Sequence, residues 1–283
     1  MDHYDKLVAK TLKEFESLGL GTCKKTNDVD LIETLSFDSG GNLFVTGVHH
    51  ATEIFATYQS ILQAISNGVK INAVPVVNVD GFNYILNAIK GLEEMAQRFE
   101  GTINDDFIRQ ILFGSGEGLY RDILYPPWSK WDYGGSYDDK SPLVAEIEKK
   151  VEDSSAVIDI HNCDMGSYII ITSHLEGHDT QLQYDIEEII KTTIVRNGYE
   201  FLSGSNADNP LYRERREGVY QLVCSEPLLI NFARLRGKAN IVLEVPAYDK
   251  NGNFSFFKGG NSGIMATNVE LLSEIAKYSG HKT

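Results

Sequence analysis

The chain has 283 residues, 42% of them hydrophobic and 23% charged, enough apolar material for a sizeable core and without the biased stretches that mark disorder. Its formal net charge of −14 opposes phosphate backbones and anionic membrane surfaces, and no local run of Lys or Arg offsets it, which argues against nucleic acid and membrane as partners. Cys23, Cys163 and Cys224 are too scattered for a disulfide framework or a thiolate zinc cluster.

The opening MDHYDKLVAKTLKEFESLGL mixes charge with apolar residues, unlike a secretory signal or membrane span. The chain therefore reads as cytoplasmic, a character that a mature secreted form would share. Residues 4–18 space Val8, Leu12, Phe15 and Leu18 at helical intervals. Leu43–Val48 reads as a buried strand, Ala51–Ile65 as a helix stopped by Ser66-Asn67-Gly68, Ile71–Val79 as a second strand and residues 83–97 as a second helix. Residues 101–140, broken by Gly and Pro, read as a long folded loop region. Pro142 opens a further helix through Val151, Ala156–His161 and Tyr168–Thr172 are apolar strands, residues 179–197 are helical, Ala239–Val245 is a last strand and residues 262–278 a closing helix. This alternation, without internal repeats, predicts one domain over residues 1–283, an α/β/α sandwich around a mixed, mostly parallel sheet.

The sharpest local signal is Gly47-Val48-His49-His50-Ala51-Thr52-Glu53, in which His50 and Glu53 stand three apart at a strand end and His49 would stand four apart. Catalytic zinc takes three nitrogen or oxygen ligands and leaves a position for water, so a third ligand is needed. Asp159-Ile160-His161-Asn162 offers His161 at the end of another apolar strand, although a buried, hydrogen-bonded histidine is the plainer account of it alone. Asp159 shares a strand face with His161 and could orient a ligand. Glu244 lies inside Ile241-Val242-Leu243-Glu244-Val245-Pro246, where either a buried ion pair or a catalytic task explains a carboxylate.

Together with Asn78-Val79-Asp80-Gly81-Phe82, these motifs occur in the order found in the zinc metallocarboxypeptidases, and the chain resembles that family's carboxypeptidase A-like catalytic domain. The resemblance implies a zinc-dependent hydrolase that holds one Zn2+ through His50, Glu53 and His161 and uses Glu244 as general base on water to release C-terminal amino acids from peptides. It further implies that Tyr220 closes over substrate and that Arg121, in Leu119-Tyr120-Arg121-Asp122, grips the terminal carboxylate. An ordinary aromatic at a strand end and an exposed arginine are the plainer accounts of these two.

Three positions depart from the family pattern. Tyr120 stands where an Asn is expected, Glu117 lies one position from the acid that supports the first histidine, and the oxyanion arginine is Arg98 or Arg109, with Arg98 preferred. The alternatives that keep the same zinc site are a murein γ-glutamyl-diamino-acid peptidase and an acyl-amino-acid deacylase. A non-catalytic binding module is a third. The apolar run from Glu226 to Asn231 implies an apolar side-chain preference. His3, His174, His178 and His281 read as surface residues, and Arg213, Arg215 and Arg216 as a solvated face paired with Glu214 and Glu217.

Overall fold

The apolar runs assemble into one nine-stranded sheet in the computed structural model, which describes residues 13, 22–27, 33–49, 53–54, 56–98, 142–163, 165–173, 180–204, 212–222, 229–249, 251 and 262–281. The strands are β1 (Thr22–Asn27), β2 (Glu33–Asp38), β3 (Leu43–Gly47), β4 (Asn72–Val74), β5 (Ala156–Cys163), β6 (Ile169–Thr172), β7 (Tyr212–Arg216), β8 (Val219–Leu222) and β9 (Ala239–Pro246). Their spatial order is β1-β2-β4-β3-β5-β9-β6-β8-β7. The central block β4-β3-β5-β9 is parallel, whereas β1-β2, β2-β4, β9-β6 and β8-β7 are antiparallel. The described helices are α1 (Tyr58–Ser66), α2 (Val79–Arg98), α3 (Pro142–Glu152), α4 (Gln181–Arg196), α5 (Leu229–Leu235) and α6 (Ser262–His281).

Alternation along the strands sets the layers. Leu43 and Val45, Ile158 and Ile160, and Ile241 and Leu243 face one side, where Ile61 and Ile65 of α1, Phe82 and Ile85 of α2, Ile186 and Ile190 of α4 and Leu271 and Ile275 of α6 cover them. Phe44 and Val157 face the other side, against Ile147 and Val151 of α3 and Phe232 and Ala233 of α5. The fold is thus the expected α/β/α sandwich. Each fully buried Ile, Leu or Phe contributes about 1.5–3 kcal/mol, so these two interfaces hold the layers together. No described helix is long and apolar enough to cross a membrane.

Two expected boundaries shift for local reasons. The second strand ends at Val74 because Pro75 has no N–H for the ladder, and α2 begins at Val79, where the Asn78 side chain accepts from the Gly81 N–H at 2.8 Å as a cap. The first helix begins at Tyr58 rather than Ala51. Ahead of it the carbonyls of Glu53, Ile54 and Ala56 accept from Thr57 Oγ1 (2.5 Å), Gln59 Nε2 (3.0 Å) and Ser60 Oγ, and Ala56 has φ +50°, so side chains hold an irregular turn there. The expected stop holds, with Asn67 as C-cap and Gly68 at φ +80°. The helix expected over residues 4–18 and the loop region 101–140 lie outside the described residues, apart from Lys13.

Candidate active site

Three parallel strands bring the chemistry together at their C-terminal ends, where open α/β sheets form their ligand crevices. β3 ends at Gly47, where a Cβ would meet Ile61 Cδ1 and the Pro75 carbonyl at 3.1 Å, so the tight approach there favours glycine. The chain then turns through Val48 at φ +51°, an unfavourable conformation for a β-branched residue, and presents His49. Asn78 pins this turn, its N–H donating to the Val48 carbonyl at 2.9 Å and its Nδ2 to the His49 carbonyl at 3.1 Å.

On β5, Asp159 and His161 share the sheet face opposite Ile158 and Ile160. Thr46 of β3, in register with Asp159, donates from Oγ1 to Asp159 Oδ1 at 2.8 Å. His49 Nε2 lies 2.7 Å from the same oxygen, and His161 Nε2 lies 2.9 Å from Asp159 Oδ2. The two imidazoles stack with centroids 5.1 Å apart. The other ring nitrogen of His161, Nδ1, lies 2.6 Å from Oε1 of Glu53, a residue only 3% exposed. On β9, Glu244 is the in-register partner of His161, so their side chains leave neighbouring strands on one face.

The charges follow from this geometry. Burial alone would depress the His161 pKa, but the Glu53 and Asp159 carboxylates outweigh it and hold the imidazolium well above the usual histidine range. For Asp159 burial alone would raise the pKa, and the imidazoles of His49 and His161 hold it well below the usual carboxylate range. Two buried carboxylates around two imidazoles form a donor set that fits a dication once the histidine protons leave. The atoms of His49, Asp159 and His161 that could bind a metal lie within 4.8 Å of one another, and Glu53 reaches the same ring from the other side.

Of the residues singled out in the sequence, Glu53, His161 and Glu244 thus meet at one sheet edge. His50, Arg121 and Arg109 lie outside the described residues, and the preferred oxyanion candidate Arg98 closes α2, carried about 28 Å along the helix from the Asn78 end that touches His49, so it does not reach the site. Tyr220 does not stand over the site. It is 1% exposed in β8, packs with Ile171, Leu222 and Ile230, and donates its hydroxyl to the Gly204 carbonyl at 3.0 Å. The register row Asp159, Val242, Ile171, Tyr220 puts three strand spacings between it and Asp159, about 14 Å. The arginine cluster also differs from expectation. Arg216 pairs with Glu187 and Glu188 of α4, and Arg215 and Arg216 lie over the Tyr184 ring at 5.1 and 5.2 Å, because β7 carries them across α4. Glu214 instead accepts from the backbone of Gly204 and Gly218. Thr46 gained no functional reading from sequence, since its role depends on strand pairing, and Asn78 entered only as part of a turn motif.

The described architecture matches solved structures across nearly the whole chain. A candidate metallopeptidase of Shewanella amazonensis SB2B aligns at TM-score 0.59 and 14% identity, over 98% of this chain and 93% of its own. Bovine thrombin-activatable fibrinolysis inhibitor, solved with tick carboxypeptidase inhibitor, aligns at 0.60 and 13% over 100% and 99%. The chain has the carboxypeptidase A-like fold. A Pseudomonas aeruginosa metallo-carboxypeptidase, solved with (2-guanidinoethylmercapto)succinic acid, shares this carboxypeptidase fold at TM-score 0.58 and 13% identity, over 95% of this chain and 67% of its own. No protein-family model and no curated protein matches the sequence.

Proposed function

We propose that the chain is a zinc-dependent peptidase that releases C-terminal amino acids, with His50, Glu53 and His161 as metal ligands and Glu244 as general base. The observation that carries this reading is the meeting of His161 Nδ1 with Glu53 Oε1 at 2.6 Å, with Glu244 in register beside His161 on β9. The bound ion would supply Lewis-acid chemistry, activating water near neutral pH and polarising the scissile carbonyl. Glu244, half-buried at the crevice, takes the proton from the attacking water and returns it to the leaving amine. Arg109 meets the developing oxyanion, and Arg121 pairs with the substrate's terminal carboxylate.

This reading takes the Nδ1 side of His161, where Glu53 stands, as the metal position and leaves Asp159, two residues back along β5 and bonded to Thr46, as the support of Nε2. The test is zinc content of the purified chain combined with a screen of peptides for release of the C-terminal residue. One equivalent of zinc with such release supports the reading. A chain that takes up no zinc and releases nothing refutes it, and zinc without hydrolysis returns the binding-module alternative.

A further inference from the structure

We propose that Asp159 is a positioning residue that locks His161, and His49 beside it, so that His161 presents Nδ1 to the metal. The inference rests on the metal position proposed above. The Asp159 carboxylate is 5% exposed, and both its oxygens are engaged: Oδ1 accepts from Thr46 Oγ1 at 2.8 Å and meets His49 Nε2 at 2.7 Å, and Oδ2 meets His161 Nε2 at 2.9 Å. With the metal taken between Glu53 and His161, the Asp159 carboxylate, which when ionised only accepts, receives Nε2–H of His161 and leaves Nδ1 to the ion. Its own place is fixed by the sheet, since Thr46 and Asp159 are register partners on β3 and β5. His49 stands against Asp159 with its ring, Nε2 2.7 Å from Oδ1, and its carbonyl accepts from Asn78 Nδ2 at 3.1 Å. The rings of His49 and His161 thus meet the same carboxylate, which couples the two histidine-bearing segments.

A carboxylate that orients a metal-binding histidine changes metal affinity about 10- to 100-fold when removed. The experiment compares wild type with Asp159→Asn, Thr46→Val, His49→Ala and His161→Ala. Zinc affinity is read by competition with a chromogenic chelator, the visible spectrum is taken after cobalt(II) loading, and the metal-free proteins are melted to show that they are folded. Asp159→Asn should bind zinc about 10- to 100-fold more weakly with unchanged cobalt band positions, and Thr46→Val should show a smaller loss in the same direction. Wild-type affinity in Asp159→Asn overturns the inference and leaves the zinc site standing. If Asp159→Asn does not fold, Thr46→Val decides, and wild-type affinity there overturns it too. Loss of stoichiometric binding and a changed cobalt spectrum in both Asp159→Asn and His49→Ala also overturns it, because those residues would then be ligands. Undiminished zinc binding by His161→Ala fails the functional reading itself and the inference with it.

Discussion

In the metal-free protein, His161 is the cation between two buried carboxylates, with Glu53 at 2.6 Å and Asp159 at 2.9 Å, and His161→Ala removes it from both. Deleting one partner of a buried pair costs about 3–5 kcal/mol because the remaining charge is left uncompensated. At about 2 °C per kcal/mol for a chain of this size, melting should fall by about 6–10 °C. The pH dependence has a definite sign. A raised His161 pKa contributes stability that is complete below the unfolded value, about 6.5, and is lost as pH rises through the folded value. A depressed Asp159 pKa contributes stability present above its unfolded value, about 3.9, and lost as pH falls through the folded value. The gap between wild type and variant should therefore be widest between about pH 4 and 6.5 and should narrow in alkali. The assay is thermal melting in excess chelator across that range, with His161→Ala/Glu53→Gln as the companion. The double variant should recover part of the loss, since glutamine removes the stranded buried charge. A His161→Ala protein that melts with wild type at about pH 6 refutes the buried network.

His50→Ala should lose stoichiometric zinc by elemental analysis, since two remaining protein ligands close the site poorly; full retention removes His50 from the ligand set. Glu244→Gln should bind zinc normally while turnover falls about 10²- to 10⁴-fold, and near wild-type kcat would pass the role of base to another group. Amidating a peptide's C-terminus should reduce hydrolysis by wild type about tenfold to a hundredfold, with Arg121→Ala barely distinguishing acid from amide. Equal cleavage of both peptides by wild type would move the γ-glutamyl and acyl-amino-acid substrates to the front.

The parts of the fold that were legible in the sequence are those whose neighbours cover them completely. β3, β5 and β9 are buried on both faces and read as apolar runs, and α4 and α6 are long enough to show a helical period. β1 (TCKKTN) and β7 (YRERR) sit at the two edges of the sheet and carry too much polar character for that signal. α5, with seven residues, is too short to show a period. At the site, strand ends and residue chemistry singled out Glu53, His161 and Glu244, which the sheet places near one another. The Thr46–Asp159 bond spans 113 residues and exists only because β3 and β5 pair in one register. Arg216 likewise finds Glu187 only because β7 lies beside α4, which no local pattern encodes. Tyr220 shows the converse limit, since its position in the chain resembles that of a mobile tyrosine while its surroundings are core.

The segment that carries Glu53 is irregular, so its shape depends on side chains that reach it from elsewhere, above all Asn268 of α6. Asn268 is fully buried, donates from Nδ2 to the Ala56 carbonyl at 3.1 Å and to Ser60 Oγ at 3.3 Å, and accepts from the Tyr168 hydroxyl at 3.0 Å. It thereby ties the closing helix to the turn three residues beyond Glu53, where Ala56 is held at φ +50°. Asn268→Ala takes this acceptor from a buried tyrosine hydroxyl and this donor from the Ala56 carbonyl, at a cost of about 1–3 kcal/mol for each group left unsatisfied. Ser60 Oγ still donates to Ala56, so the first loss dominates and melting should fall by about 2–6 °C. Under the proposed function a looser turn also has more conformations to give up when Glu53 meets a metal, so zinc affinity should weaken. Melting in chelator reads the first effect and chelator competition the second. Asn268→Ala with lowered stability and unchanged zinc affinity would show that the Glu53 turn is rigid without α6, and unchanged stability would remove the buried bridge itself.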